Sequence, residues 1–201
     1  MRAILTILAV GLALPGLSQA AGLSYSYVEG GYGETEIDND VSADGDGYRV
    51  AASLAIGPTY HVVAEYSTAD LEVDNFNIDA SVDTISVGFG YNYPINPHAD
   101  VIGRVLYVQS DFEVDSPFFD VDSDDSGIGF QMRLRGEVME RAEIEGGIDY
   151  VDVGDADTTL VLEGRYFLTQ ALALGAGIEI GDDTTSYGVT LRFNFGAPPA
   201  R

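Results

Sequence analysis

The sequence contains no cysteine, no tryptophan and no lysine, and its nine basic residues stand against 33 acidic residues, giving a formal net charge of -24. Without cysteine there is neither a disulfide framework nor a thiolate metal site. The scarcity of basic residues argues against nucleic acid as a partner, because phosphates need basic side chains. After the N-terminal segment there is no second long apolar run, which excludes a helical membrane protein.

The N-terminal segment has the composition of an export signal. Arg2 provides a positive charge, residues 4–14 form a short apolar run, and Ser18-Gln19-Ala20 provides the small-x-small pattern of a cleavage site. The apolar run is shorter than the roughly 20 residues that a membrane-spanning helix needs. We therefore predict a signal peptide over residues 1–20 and a single domain over residues 21–201.

The remainder of the chain is rich in residues that favour β structure, with 24 Gly, 12 Tyr and 9 Phe, and it shows no helical period. Short alternating runs are separated by turn residues, as in hairpin-connected strands. The pattern predicts ten strands, with eight left open in case the last hairpins are misread. The predicted strands are Leu23–Ile37, Gly47–Ile56, Tyr60–Val73, Ser81–Tyr93, Val101–Val114, Gly127–Val138, Glu143–Val153, Thr158–Leu168, Leu172–Ile180 and Thr184–Phe195.

Each predicted strand has one apolar face and one polar or small face. In the last strand, Val189, Leu191 and Phe193 share one face, while Thr190 and Arg192 share the other. A soluble lipocalin-like barrel would turn the apolar face inward, whereas a transmembrane barrel turns it toward lipid. Wide, tyrosine-rich apolar faces and glycine-rich polar faces favour an all-β, antiparallel, up-and-down transmembrane barrel.

The charged residues of the polar faces would then meet in the lumen. Buried charges need partners, so we predict cross-strand ion pairs, with Arg133 and Arg135 meeting Glu143 and Glu145 across a short turn. This network either plugs a narrow barrel or forms a constriction that selects solutes. Its predicted members are Arg49, Arg104, Arg133, Arg135, Arg165, Arg192, Glu65, Glu137, Glu143, Glu145, Glu163 and Glu179.

The connections are expected to differ at the two ends of the barrel. Those after even-numbered strands are tight, whereas those after strands one, three and five read as longer acidic loops. Aromatic residues near the strand ends predict two interfacial belts, with Tyr25, Tyr27 and Tyr60 in one and Tyr48 and Tyr66 in the other. Short periplasmic turns and longer external loops are typical of outer-membrane barrels, and an even strand count leaves both termini in the periplasm.

These features together resemble the small outer-membrane β-barrel proteins of gram-negative bacteria, the OmpA- and OmpX-like porin-like superfamily. The segment Gly22–Tyr32 is similar to a first strand of that group, and Ser186-x-Gly188-x-x-Leu191-x-Phe193 is similar to the signal read by the barrel-assembly machinery. The chain departs from the group by continuing past Phe195. The resemblance implies a monomer in the cell outer membrane that contacts lipid and lipopolysaccharide.

The acidic segments are candidates for weak association with Ca²⁺ or Mg²⁺, since these cations prefer carboxylate oxygens. Segments 36–46, 70–79, 111–125, 149–157 and 182–183 hold 22 of the 33 acids. The clearest spacing is Asp120, Asp122, Asp124 and Asp125, although it lacks the glycine and closing glutamate of an EF-hand loop. Bound cations would bridge these segments to anionic lipopolysaccharide, and the competing interpretation is a solvated, repulsive surface.

Nothing in the sequence indicates a cofactor or an enzyme. The histidines His61 and His98 both lie beside predicted periplasmic turns, and no G-x-S-x-G motif occurs. The leading hypothesis is an outer-membrane barrel with a structural, surface-interaction or narrow-channel role. A passive pore for small solutes is the alternative, and a soluble lipocalin-like binding protein is the second alternative.

Overall fold

Ten antiparallel strands close into a barrel in the computed structural model, which describes residues 23–37, 43–73, 79–116 and 119–196. Each strand pairs with its neighbours along the chain, and the first pairs with the last. This confirms the ten-stranded up-and-down barrel and excludes the count of eight. The strands are β1 Tyr27–Ile37, β2 Ala43–Ile56, β3 Tyr60–Val73, β4 Asp79–Asn96, β5 Ala99–Ser116, β6 Phe119–Met139, β7 Ala142–Val153, β8 Asp155–Phe167, β9 Leu172–Ile180 and β10 Thr184–Asn194.

The barrel is apolar outside and charged inside. On β10, Leu191 is 51% exposed on the outer face, while the next residue, Arg192, is 3% exposed in the lumen. Large aliphatic and aromatic side chains are exposed in the same way on every strand. A soluble lipocalin-like barrel would need the opposite arrangement, so the second alternative is wrong. Among the described residues, none forms a helix long and apolar enough to cross a membrane.

We call the end where β1 begins and β10 ends the lower end, and the opposite end the upper end. The lower connections are tight, and Gly57 adopts a φ of 72° between β2 and β3, a conformation that glycine accepts without strain. Gly154, with a φ of 71°, alone links β7 to β8 at the upper end.

The long acidic loop expected between the fifth and sixth strands is largely strand. β5 continues to Ser116 and β6 resumes at Phe119, with Asp111 opposite Asp124 and Glu113 opposite Asp122. Acidic residues have low strand propensity, which explains the prediction of a loop, but hairpin pairing overrides this preference. β7 and β8 end lower, so β5 and β6 extend beyond them at the upper end within the described residues.

The first predicted strand is too long at its start. β1 begins at Tyr27, and residues 23–26 lie buried before it, with Leu23 fully enclosed. The side chains of Tyr25 and Tyr27 are also buried, so their predicted place in a lipid-facing belt is wrong. Both rings face arginines of the lumen, and polar partners inside the barrel hold them there.

Candidate functional site: the lumen

Two ion pairs cross from β6 to β7 at the lower half of the lumen. Arg133 contacts Glu145 with 3.3 Å between Nη1 and Oε1, and Arg135 donates to Glu143 Oε2 from Nε at 2.9 Å. Strand register places Arg135 opposite Glu145, so both ion pairs are diagonal contacts between residues of the inner face. Arg135 is 1% exposed. These contacts join the four residues that the sequence analysis placed together.

Glu29 links the opposite wall of the barrel to this cluster. Its Oε2 lies 2.7 Å from Arg192 Nε and 3.6 Å from Arg165 Nε, and its Oε1 lies 3.3 Å from Arg49 Nη2. Arg165 continues to Glu145 with a 2.9 Å contact from Nη1 to Oε2. A connected network of ion pairs therefore crosses the lumen from β1 and β10 to β6 and β7.

The remaining contacts extend the network upward. Arg165 also binds Glu163, whose other oxygen accepts a hydrogen bond of 2.9 Å from the Thr190 hydroxyl. Arg49 reaches Glu179 with 3.3 Å between Nη1 and Oε1. Arg133 donates to Asp149 from Nε at 3.0 Å. Each guanidinium group in these contacts therefore meets at least one carboxylate, as burial of charge requires.

Three predicted members have other surroundings. Arg104 donates to His61 Nε2 at 2.9 Å and to Gln131 Oε1 at 3.0 Å, and the structure records no carboxylate within 4 Å of its charge among the described residues. Glu137 lies at the lower mouth, where its Oε2 is 2.7 Å from Nδ1 of the exposed His98. Glu65 faces the lumen without an ion pair in the described part of the chain.

The network and its surroundings include four residues that the sequence analysis did not predict there, namely Glu29, Asp149, Tyr25 and His61. The sequence could have indicated Glu29, because its side chain alternates onto the same inner face as Tyr27 and Gly31. The adjacent glycines weaken the contrast between the two faces of the strand, so alternation alone did not place Glu29 in the lumen. Asp149 lies within β7, as the predicted seventh strand implies, but the sequence analysis counted it with the acidic segment 149–157 and not with the lumen network.

Residues 23–26 close the lower mouth below the network. The Ser24 carbonyl accepts from Arg135 Nη1 at 2.8 Å, and the Tyr25 hydroxyl donates to Asp100 Oδ2 at 2.7 Å. The Tyr25 ring stacks on His61 with 5.2 Å between centroids. Leu23 and Tyr25 pack against Ile102 as a small apolar cluster. This segment therefore occupies the space through which a solute would leave the lower end.

The described members of the predicted cation site lie on two different faces of β6. Asp122 and Asp124 lie on the outer face of β6, and Asp125 lies on the opposite face because side chains alternate along a strand. The Asp120 side chain lies outside the described residues. Within the described ranges, no three acidic or histidine residues are placed to hold a metal ion.

The comparisons with known proteins agree with this architecture. The family model described as outer membrane protein beta-barrel domain matches residues 5–195. The β domain of the Bordetella autotransporter BrkA has a TM-score of 0.54 and 12% identity, covering 86% of this chain and 100% of that chain. Neisserial surface protein A has a TM-score of 0.51 and 14% identity, covering 86% and 98%. The translocator domain of NalP from Neisseria meningitidis has a TM-score of 0.50 and 11% identity, covering 87% and 89%. At these identities the likeness shows the fold alone. No curated protein matches the chain.

Proposed function

The chain belongs to the outer membrane protein β-barrel domain family, and on that premise we propose that it is a sealed barrel that acts through its surface rather than by passing solutes. The proposal rests on the network of buried ion pairs that crosses the lumen and on residues 23–26, which lie in the lower mouth. Ten-stranded barrels are narrow enough for side chains to fill. A passive porin-like pore would need these groups to leave a continuous polar path.

We propose that the upper end faces outside and that residues 1–20, which lie outside the described residues, are a cleaved signal peptide. The aromatic and aliphatic residues of the last strand support recognition by the barrel-assembly machinery, since Leu191 and Phe193 are exposed on the outer face of β10. The lower end, with its tight turns, would then lie in the periplasm.

The outer face of the upper end supports contact with lipopolysaccharide through cations. Asp46 lies opposite both Glu34 and Asp70 across its two neighbouring strands, and Asp111 lies opposite both Asp83 and Asp124. Like charges directly opposite each other destabilise a sheet. Weak, collective association of Ca²⁺ or Mg²⁺ would relieve this repulsion and bridge the carboxylates to anionic headgroups.

We also propose that the protein has no catalytic role. His61 is fully buried in the lumen beside Arg104, and His98 lies at the lower mouth, beside Glu137. Neither ring is near the upper rim, which an external substrate would reach first.

Two measurements test this proposal. Outer-membrane fractionation with heat-modifiable migration on a detergent gel should identify a folded, membrane-embedded monomer. Proteoliposomes placed in isotonic L-arabinose should not swell, because the network blocks entry, whereas a porin reconstituted in parallel should let them swell. Swelling at a rate comparable to that of the porin, or recovery as a soluble periplasmic monomer, would refute the proposal.

A further inference from the structure

A cavity of about 290 Å³ lies in the lumen between the ion-pair network and the upper mouth. It is lined mainly by β1, β2, β3, β9 and β10, whose inner faces carry mostly small side chains above Arg49, Glu65 and Glu179, and β6, β7 and β8 complete the lining. The other side is filled by an apolar cluster of Val63, Leu106 and Val108 with Val151 and Val153 packed on it. The small residues lining the cavity are Gly31, Gly33, Gly47, Ala69, Gly177 and Gly188.

The floor of the cavity offers carboxylates whose neighbouring guanidinium groups are already engaged. Arg49 divides its two terminal nitrogens between Glu29 and Glu179, at 3.3 Å each. Glu65 also faces Arg49 across the lumen and attracts it strongly, without an ion-pair contact within 4 Å among the described residues. One guanidinium group therefore serves three carboxylates, and the floor keeps an excess of negative charge. The Glu179 side chain is 43% exposed, so its carboxylate is also accessible from above.

Hydroxyl groups stand above this floor on the neighbouring walls. Thr35 and Ser186 lie across from each other on β1 and β10, with 2.8 Å between their oxygens, and Ser67 lines the cavity from β3. These oxygens accept hydrogen bonds from a donor that enters the cavity. The acidic upper end surrounds the entrance, and such a field concentrates cations and repels anions.

We infer that this cavity binds a small linear organic amine, with one ammonium group seated between Glu65 and Glu179. An ammonium group donates three hydrogen bonds, and two carboxylates together with one hydroxyl offer an acceptor for each of them. The methylene chain lies along the glycine-lined wall and Val161. A bare metal ion fits less well, since the described residues place no three acidic or histidine ligands together. The site does not depend on whether the lumen conducts.

The test is a titration of the folded barrel in detergent micelles with 1,5-diaminopentane at physiological salt, followed by ¹H–¹⁵N spectra. The expected result is saturable shifts of the Gly31, Gly177 and Gly188 amides. Glu65→Gln should weaken binding about tenfold, because it replaces a charge-assisted contact with a neutral one. Ala69→Leu should weaken binding by filling the cavity without a change of charge, which keeps the test decisive if the charge variant folds poorly.

Two matched controls separate this site from the general attraction of an acidic protein. Glu137→Gln makes the same charge change at the lower mouth, and Asp83→Asn makes it on the outer face of β4. Both should leave the affinity unchanged. Shifts confined to outer-face acids, equal weakening by Asp83→Asn, or the same glycine shifts with Mg²⁺ alone would each overturn the inference.

Discussion

Replacing Glu29 with alanine should be among the most destabilising single changes in the barrel. Its carboxylate is the ion-pair partner of Arg192, 2.7 Å away, and Arg192 is 3% exposed. Arg165 keeps Glu145 and Glu163 after the change, and Arg49 keeps Glu179. The dominant loss is therefore the burial of an unpaired Arg192 charge, which costs about 3–5 kcal/mol.

The assay is urea unfolding of the barrel in lipid vesicles, followed by heat-modifiable gel migration. Glu137→Ala provides the matched control, because it removes a carboxylate from an exposed pair with His98 and should cost about 1 kcal/mol or less. Adding Arg192→Leu to the Glu29 variant should recover stability, since no charge is then left unpaired. Equal stability of the Glu29 and Glu137 variants would refute the view that the network holds the barrel together.

Two further changes probe the faces of the strands. Val87→Arg places a charge on the outer face of β4 and should cost about 2–4 kcal/mol of unfolding free energy near the bilayer midplane, whereas Ser86→Ala on the inner face should be tolerated. The midpoints of urea unfolding measure both effects. Equal tolerance of the two variants would mean that the faces are assigned wrongly. A Cβ at Gly90 would overlap the buried His61 ring, so Gly90→Ala should lower the free energy of unfolding by about 1–3 kcal/mol. In a His61→Ala background the same substitution should cost less, because the ring that it would overlap is gone.

The number of strands follows from the alternating runs in the sequence and the turns between them. The face on which each side chain lies follows from the period of two along a strand. That alternation placed Leu191 outside and Arg192 inside, and the structure agrees. It also specified which arginines point inward. Which carboxylate each one meets depends on strand register and on lumen geometry, and neither is encoded in a single strand.

The start of β1 shows where the pattern fails. Residues 23–26 continue the alternation of β1, so the sequence predicts a longer strand. Pairing ends instead where β10 ends, with Tyr27 opposite Asn194, and Arg135 and Asp100 capture the preceding residues inside the mouth. These partners are 75 or more residues away along the chain, so a local reading of the sequence does not reveal them.

Single-channel recording in planar bilayers tests the sealed barrel most directly. The unaltered protein should insert without steady unitary currents, because ion pairs cross its lumen and residues 23–26 fill its lower mouth. Steady, uniform unitary currents from the unaltered protein would contradict the account and would establish a pore in its place.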